Sequence, residues 1–421
     1  MQIRRKTFLA LGASGIGASV LAACGGSPSS SGGASDAGGT EETGAPARAD
    51  ADLVIWTDEV KANALQDAAK KWGEANGMTV AVQVVATDLQ PNFITANQAG
   101  NGPDVILAAH DWVGNLVQNG AISPVQLSAA AQEAIAPIGM TAAQYEGQIY
   151  GLPYAVETLA LFSNKALTDN TEPATVEALV EAAKAGGAER VLSLPVGEEG
   201  DAYNMQPFYT SGGGYLFGET ADGDADPSDL GVGKEGSIAA GEKIKELGEQ
   251  GVLSKSITGD NAISLFTDAK AAYLVSGPWA LNDIKKAGID YGMSAVPGFE
   301  GMNPALPFAG VNLFYVASKG ANAMNAQAFI QSISEDPTVI EEMFEKNNLP
   351  PVNIALQEKL GAEYPDVVRI AEFAGATKPM PAIPAMSAVW QPLGLAQANI
   401  VGGADPASTM EAAGKEIAAR I

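Results

Sequence analysis

The stretch "DLVIWTDEVKANALQDAAKKWGEANGMTVAVQVV", residues 52–85, decides the fold class. "DLVIW" is a short run rich in strand formers. In the segment after it, Ala64, Leu65, Ala68, Ala69 and Trp72 recur at helical spacing, and Gly77 stands where a helix stops. "MTVAVQVV" then alternates as a second strand. Downstream, "NFITANQAG" reads as a short helix and "PDVILAA" as a third strand, apolar on both faces. Strand, helix, strand, helix, strand predicts an α/β protein built on a parallel sheet. Trp56 and Trp72 fall on faces that pack inward.

In such sheets ligands bind beyond the carboxyl ends of the strands. Two segments lie there: Thr57, Asp58 and Glu59 after the first strand, and His110, Asp111 and Trp112 after the third. The strand pattern continues through "QIYGLPYAVETLALFSNKAL", read as two strands with a break at "PYAVE". Residues 175–186 read as a helix, and another starts near Trp390.

The chain start points to export. Arg4, Arg5 and Lys6 precede an apolar, small-residue run, the layout of a signal segment. "LAAC", residues 21–24, resembles the lipobox of bacterial lipoproteins, which implies cleavage after residue 23 and lipid attachment to Cys24. "RRKTFL" is loosely similar to a twin-arginine signal, with Thr7 where an apolar residue is usual. Cys24 is the sole cysteine, so no intramolecular disulfide forms. The Gly/Ser/Ala-rich tract after it reads as a flexible linker of about 25–30 Å. Residues 1–23 are thus expected to be the signal and 24–50 the lipidated cysteine and linker. Removing the signal leaves 21 basic against 49 acidic residues, a net charge of −28. Such a surface repels nucleic acid.

Several chemistries lack their residues. One histidine, one cysteine and no HExxH or GxSxG motif leave no metal cluster and no hydrolytic triad. No catalytic residue, metal or cofactor is expected, and His110 is read as a structural or pocket-wall residue. "SGGGYLFG" lacks the Lys-Ser/Thr of a phosphate loop. A carboxylate pair of glycosidase type stays open on composition. What recurs is an acid or amide beside an aromatic: Asp111–Trp112, Gln206 with Phe208 and Tyr209, Trp279 after "SGP", and Trp390 after "AMSAV". A sugar offers hydroxyls to the first kind of group and a C–H face to the second.

The ordered segments "GPD…AHD", "P.AVE.L.L..NK.L", "GPWA" and "MP.IP.MSA.W" make the body similar to the extracellular solute-binding proteins of ABC sugar importers, the maltose/maltodextrin group in particular. The resemblance implies a two-lobed, periplasmic-binding-protein-like α/β fold with crossing hinge strands, closing on an oligosaccharide and delivering it to permease subunits. It implies an N-terminal lobe of 51–155 plus 314–352 and a C-terminal lobe of 156–313 plus 353–421. Crossings are expected near 155–158, 313–315 and 349–355. The implied substrate contacts are Asp58, Glu59, Asp111, Trp112, Glu157, Gln206, Phe208, Tyr209, Trp279 and Trp390. The expected protein is a monomer, held at the cell membrane through the lipid on Cys24, that binds an α-glucoside. Alternatives are another sugar such as trehalose or sucrose, or a secreted glycoside hydrolase. The chain departs from the group at Ala108 (tryptophan there), Trp112 (arginine), Gln206 (glutamate) and Gly394 (arginine), and Lys61 is offset from the group's first-loop lysine. Trp112 is expected to supply the stacking surface that Ala108 lacks.

Overall fold

A computed structural model describes residues 45–220 and 224–421. Cys24 and the expected signal lie outside the described residues, as does most of the expected linker.

Strand β1 (Leu53–Thr57) is buried at all five positions. Helix α1 (Glu59–Asn76) follows at once because Asp58 caps it, accepting from the Lys61 amide at 3.0 Å. Gly77, with φ of 68°, closes the helix in the left-handed region that suits glycine. The buried face of α1 includes Ala64, Leu65, Ala68, Ala69 and Trp72, the positions the spacing selects. Strand β2 (Val80–Val84), helix α2 (Leu89–Ala99) and strand β3 (Val105–Ala109) complete the predicted series. β1 pairs parallel with both β2 and β3.

The first sheet is mixed rather than all-parallel. Helix α3 (Val113–Gln118) and strand β4 (Ile122–Ser123) come next, then β5 (Gly151–Glu157). "PYAVE" therefore lies within β5, and the break falls after it, at residues 158–159. Pro153 is tolerated because the pairing of β5 shifts register opposite residues 312–313. Strand β6 (Ala160–Asn164), strand β7 (Arg190–Ser193), helix α4 (Ala202–Ser211), strand β8 (Ala271–Ser276) and strand β9 (Tyr291–Ser294) lead to β10 (Gly310–Ala317). β10 returns to the first sheet, antiparallel to β3, β4 and β5. The second sheet has the order β9-β6-β8-β7.

Each sheet owns its core. The first core gathers Trp56, Trp72, Phe93, Phe314 and Phe329. Trp56 Nε1 donates to Gln83 Oε1 at 3.1 Å and Trp72 Nε1 to Ser332 Oγ at 2.9 Å, so both indoles are packed and satisfied. The second sheet is covered on both faces. Leu161, Tyr273 and Val275 enter one core, and Ala160, Phe162 and Leu274 the other, as alternation along a strand requires.

Three boundaries differ from the expected ones. Residues 47–49 dock on the body instead of ending a linker: Gln83 Nε2 donates to Ala47 O, and Arg48 pairs with the buried Asp104 at 2.8 Å. β10 pairs with the first sheet from Gly310 onward, not from 314. Helix α5 (Ile354–Gly361) and helix α6 (Pro365–Gly375) do not simply join the second lobe. Leu356, Leu360, Val367 and Ala374 enter the first core, whereas Ile370 enters the core under the second sheet. Arg369 reaches Glu172 at 2.8 Å and Tyr291 donates to Asp366 at 2.5 Å. Helix α6 thus straddles both lobes. Its apolar positions run around more of the helix than one face, and their sequence carries no address.

Candidate functional site

The site forms where the carboxyl ends of β1 and β3 meet β5, β10 and α4. Asp58 uses one carboxylate oxygen to cap α1 and the other to hold Lys61 Nζ at 2.6 Å. Glu59, next along, is exposed on the first turn. Lys61 lies near enough to Glu157 to lower its pKa, so the offset lysine does reach the site. Glu157 ends β5. Burial raises its pKa, and Lys61 and Asn312 partly offset that.

Asp111 sits in the one-turn helix His110–Trp112 that follows β3. It is 8% exposed, and burial pushes its pKa up to about 6, partly offset by the approaching Trp390 side chain. Glu157 adds like charge in the same direction. Asp111 and the half-buried Glu157 are therefore neighbours.

Helix α4 faces this space from the second lobe. Tyr203 and Gln206 are three residues apart and share a face. The Tyr203 hydroxyl is pushed well up by burial and by the nearby carboxylates of Glu157, Asp201 and Asp111. Its ring stacks on Phe308 at 6.2 Å and 29°, and Phe308 meets Trp390 edge-on at 5.8 Å. Hydroxyl and carboxylates are thus joined to a three-ring aromatic wall. Four buried polar atoms here have no well-formed hydrogen bond: Tyr154 Oη, Tyr203 Oη, Gln206 Oε1 and Asn312 Nδ2. Buried polar groups in folded proteins are nearly always paired, so a cluster of unpaired ones marks a place where a ligand or water completes them.

Phe208 and Tyr209, expected on the cleft wall, are fully buried in the core of the second lobe. Met205, Phe208 and Tyr209 sit at i, i+3 and i+4, on the core side of the helix that shows Tyr203 and Gln206 to the site. Phe208 packs on Phe299 at 6.0 Å, and Tyr209 Oη donates to Tyr215 O at 3.2 Å. Trp279 is half-buried and packs against both cores of the second sheet, its ring lying over Gly277. Trp112 is half-buried and packs against the first core. Gly394 lies at a close backbone approach: a Cβ on Gly200 would fall 1.8 Å from its carbonyl oxygen. Among the described residues no group of His, Cys, Asp and Glu could hold a metal. A groove between α1 and residues 338–347 is lined by four acids and three lysines. Exposed pairs such as Lys71–Glu342 at 2.9 Å account for it as a solvated surface.

The sequence reading missed Tyr154, Tyr203, Phe308 and Asn312. None carries a local motif. Alternation along β5 and β10 could have placed Asn312, which pairs with Ala155, on the face of Glu157, but it assigns Tyr154 to the opposite face.

Comparison with known proteins fits this geometry. Residues 67–369 match a family described as bacterial extracellular solute-binding protein. The chain is 28% identical to a galactooligosaccharide-binding protein of Bacillus subtilis, over 95% of this chain and 94% of that protein. It is 27% identical to a maltotriose-binding protein of Pyrococcus abyssi, over 80% and 75%. With a maltodextrin-binding protein of Bacillus subtilis the identity is 30%, over 69% and 71%.

Proposed function

The chain belongs to the bacterial extracellular solute-binding proteins, and we propose that it captures a neutral oligosaccharide between its lobes for an ABC importer. The observation that carries this reading is the set of unpaired polar atoms, Tyr203 Oη, Gln206 Oε1 and Tyr154 Oη, beside the buried Asp111 carboxylate, the half-buried Glu157 carboxylate and an aromatic wall. An unpaired buried polar group costs about 1–3 kcal/mol. Sugar hydroxyls pair such groups, and the sugar's C–H face covers Tyr203 and Trp390, which Phe308 backs from the core. Asp111, Glu157 and Trp390 remain proposed contacts, now with Tyr203, Gln206 and Asn312. Asp58 acts chiefly by orienting Lys61.

Charge narrows the ligand. Asp58, Asp111, Glu157 and Asp201 influence this space, while Lys61, the cation that acts on Glu157 among the described residues, is already paired with Asp58. A uronate or sulfated sugar meets unbalanced negative charge. The names of the relatives, galactooligosaccharide-, maltotriose- and maltodextrin-binding, all point to neutral sugars of more than one unit.

The high pKa of Asp111 would also suit a general acid, which a glycoside hydrolase requires. Burial, with the like charge of Glu157, accounts for it, and the binding reading needs no turnover. The protein is further proposed to be a monomer held at the membrane through Cys24, with permease subunits as partners. Among the described residues no helix is long and apolar enough to cross a membrane. A thermal-shift screen of sugars tests the function. A ligand at a hundred times its Kd stabilises the fold by about 2.7 kcal/mol. No shift with any neutral oligosaccharide would reject the reading, and sugar breakdown in the same samples would favour the hydrolase.

A further inference from the structure

His110 has no solvent exposure, and both ring nitrogens meet backbone. Nδ1 accepts from the Val311 amide at 3.1 Å, and Nε2 lies 3.0 Å from the Met380 carbonyl oxygen. An amide only donates and a carbonyl only accepts, so the ring is neutral with its proton on Nε2. The three groups come from different parts of the molecule. His110 follows β3, Val311 lies in β10 of the first sheet, and Met380 belongs to the core of the second lobe.

The segment around Met380 is tied on both sides. Ala309 N donates to Lys378 O at 2.9 Å, and Gly114 N to Ala382 O at 3.1 Å. A Cβ on Gly114 would sit 2.4 Å from that Ala382 oxygen, so the contact requires glycine. From there the chain runs through the short turn Pro384–Ala388 into the helix that begins at Trp390. His110 is thus adjacent in sequence to Asp111 and bonded to the segment that delivers Trp390.

We propose that His110 is a positioning residue for the ligand site: its two hydrogen bonds clasp residues 378–384 to the first sheet and so set Trp390 against Asp111. This rests on the reading that Asp111 and Trp390 face the ligand. A histidine serving stability alone would lower the melting temperature when replaced and leave affinity untouched. A clasp loosens one segment and weakens binding with it.

The test compares His110→Phe, which fills space without either bond, with His110→Gln, whose amide nitrogen can reach Met380. Trp72→Phe serves as a core control away from the site. Hydrogen exchange of residues 376–390 is measured in ligand-free protein, beside the Kd for the tightest-binding neutral oligosaccharide. His110→Phe is expected to exchange at least tenfold faster in that segment and to bind at least tenfold more weakly. His110→Gln should recover most of both, and Trp72→Phe should melt lower with neither changed. Wild-type protection and affinity in His110→Phe would overturn the proposal, as would equal loss of affinity in Trp72→Phe. If the wild-type protein binds no sugar, the functional reading falls separately and the exchange data alone decide: unchanged protection overturns the clasp. If His110→Phe does not fold, His110→Gln is set against His110→Asn, which can keep only the Val311 bond. Tighter binding and slower exchange in the glutamine variant support the clasp, and equal values overturn it.

Discussion

Replacing Asp111 by asparagine should stabilise the protein while weakening its ligand binding. Asp111 is 8% exposed, and burial moves its pKa from 3.8 to about 6. A shift of about two units corresponds to about 3 kcal/mol of preference for the protonated form. The sign follows from linkage. A carboxyl whose folded pKa is raised contributes stability that is fully present below pH 3.8 and is lost as pH rises through 6. Asparagine keeps the shape and never ionises, so the variant escapes that loss. Relative to wild type it should gain nothing below pH 3.8, roughly half of the 3 kcal/mol at pH 5, and the whole above pH 6. For a body of roughly 370 residues this equals a rise in Tm of about 4 °C. Matched thermal and urea melts of both proteins at pH 5, 6 and 8 measure it. His110 titrates in the same range but is present in both proteins, so it cancels in the difference. Affinity should fall about 10–100-fold at neutral pH, because a hydrogen bond to a charged acceptor contributes about 1.5–3 kcal/mol. A variant less stable than wild type at pH 8, or a difference independent of pH, would refute burial as the cause of the raised pKa.

Other outcomes follow from the same geometry. Trp390→Ala should weaken oligosaccharide binding at least tenfold by calorimetry, with Trp390→Phe intermediate, since the edge of a three-ring wall is lost. A uronate-bearing oligosaccharide should bind at least tenfold more weakly than its neutral counterpart, and the penalty should shrink in Lys61-preserving Glu157→Gln. Trp72→Ala should cost about 3–5 kcal/mol in urea melts and leave Kd unchanged, because Trp72 packs on Phe329 at 4.9 Å in the first core. The His110 pKa is lowered from 6.5 to about 4 by burial, so its contribution to stability is present above pH 6.5 and lost as pH falls toward 4. His110→Gln should therefore be less acid-sensitive across that window in the same melts. Cys24→Ala should shift the protein from the membrane fraction to the medium of expressing cells.

How much of this was legible in the sequence depended on whether a residue's role is local. The β1-α1-β2-α2-β3 series was readable because period, cap and stop all lie within a few residues: Asp58 caps, Gly77 stops, and Ala64 to Trp72 mark the buried face. Trp56 and Trp72 were readable as core for the same reason. On α4 the cluster of aromatics drew attention to Phe208 and Tyr209, yet the helix turns those inward and shows Tyr203 instead. Period alone says which residues share a face and not which face is the wet one. The role of His110 was the least legible, because its partners Val311 and Met380 are 201 and 270 residues away. Helix α6 misled for a related reason, since it satisfies two cores and its pattern names neither.

The most direct test of the central claim is isothermal titration calorimetry of the protein lacking its first 44 residues, with maltotriose, a galactooligosaccharide, maltose, trehalose and sucrose, followed by chromatography of the recovered sugar. Saturable binding of at least one oligosaccharide to one site, with the sugar recovered intact and affinity about 10–100-fold lower in Asp111→Asn, is the predicted result. No heat with any of the sugars, or recovery of shorter sugar products, would contradict it.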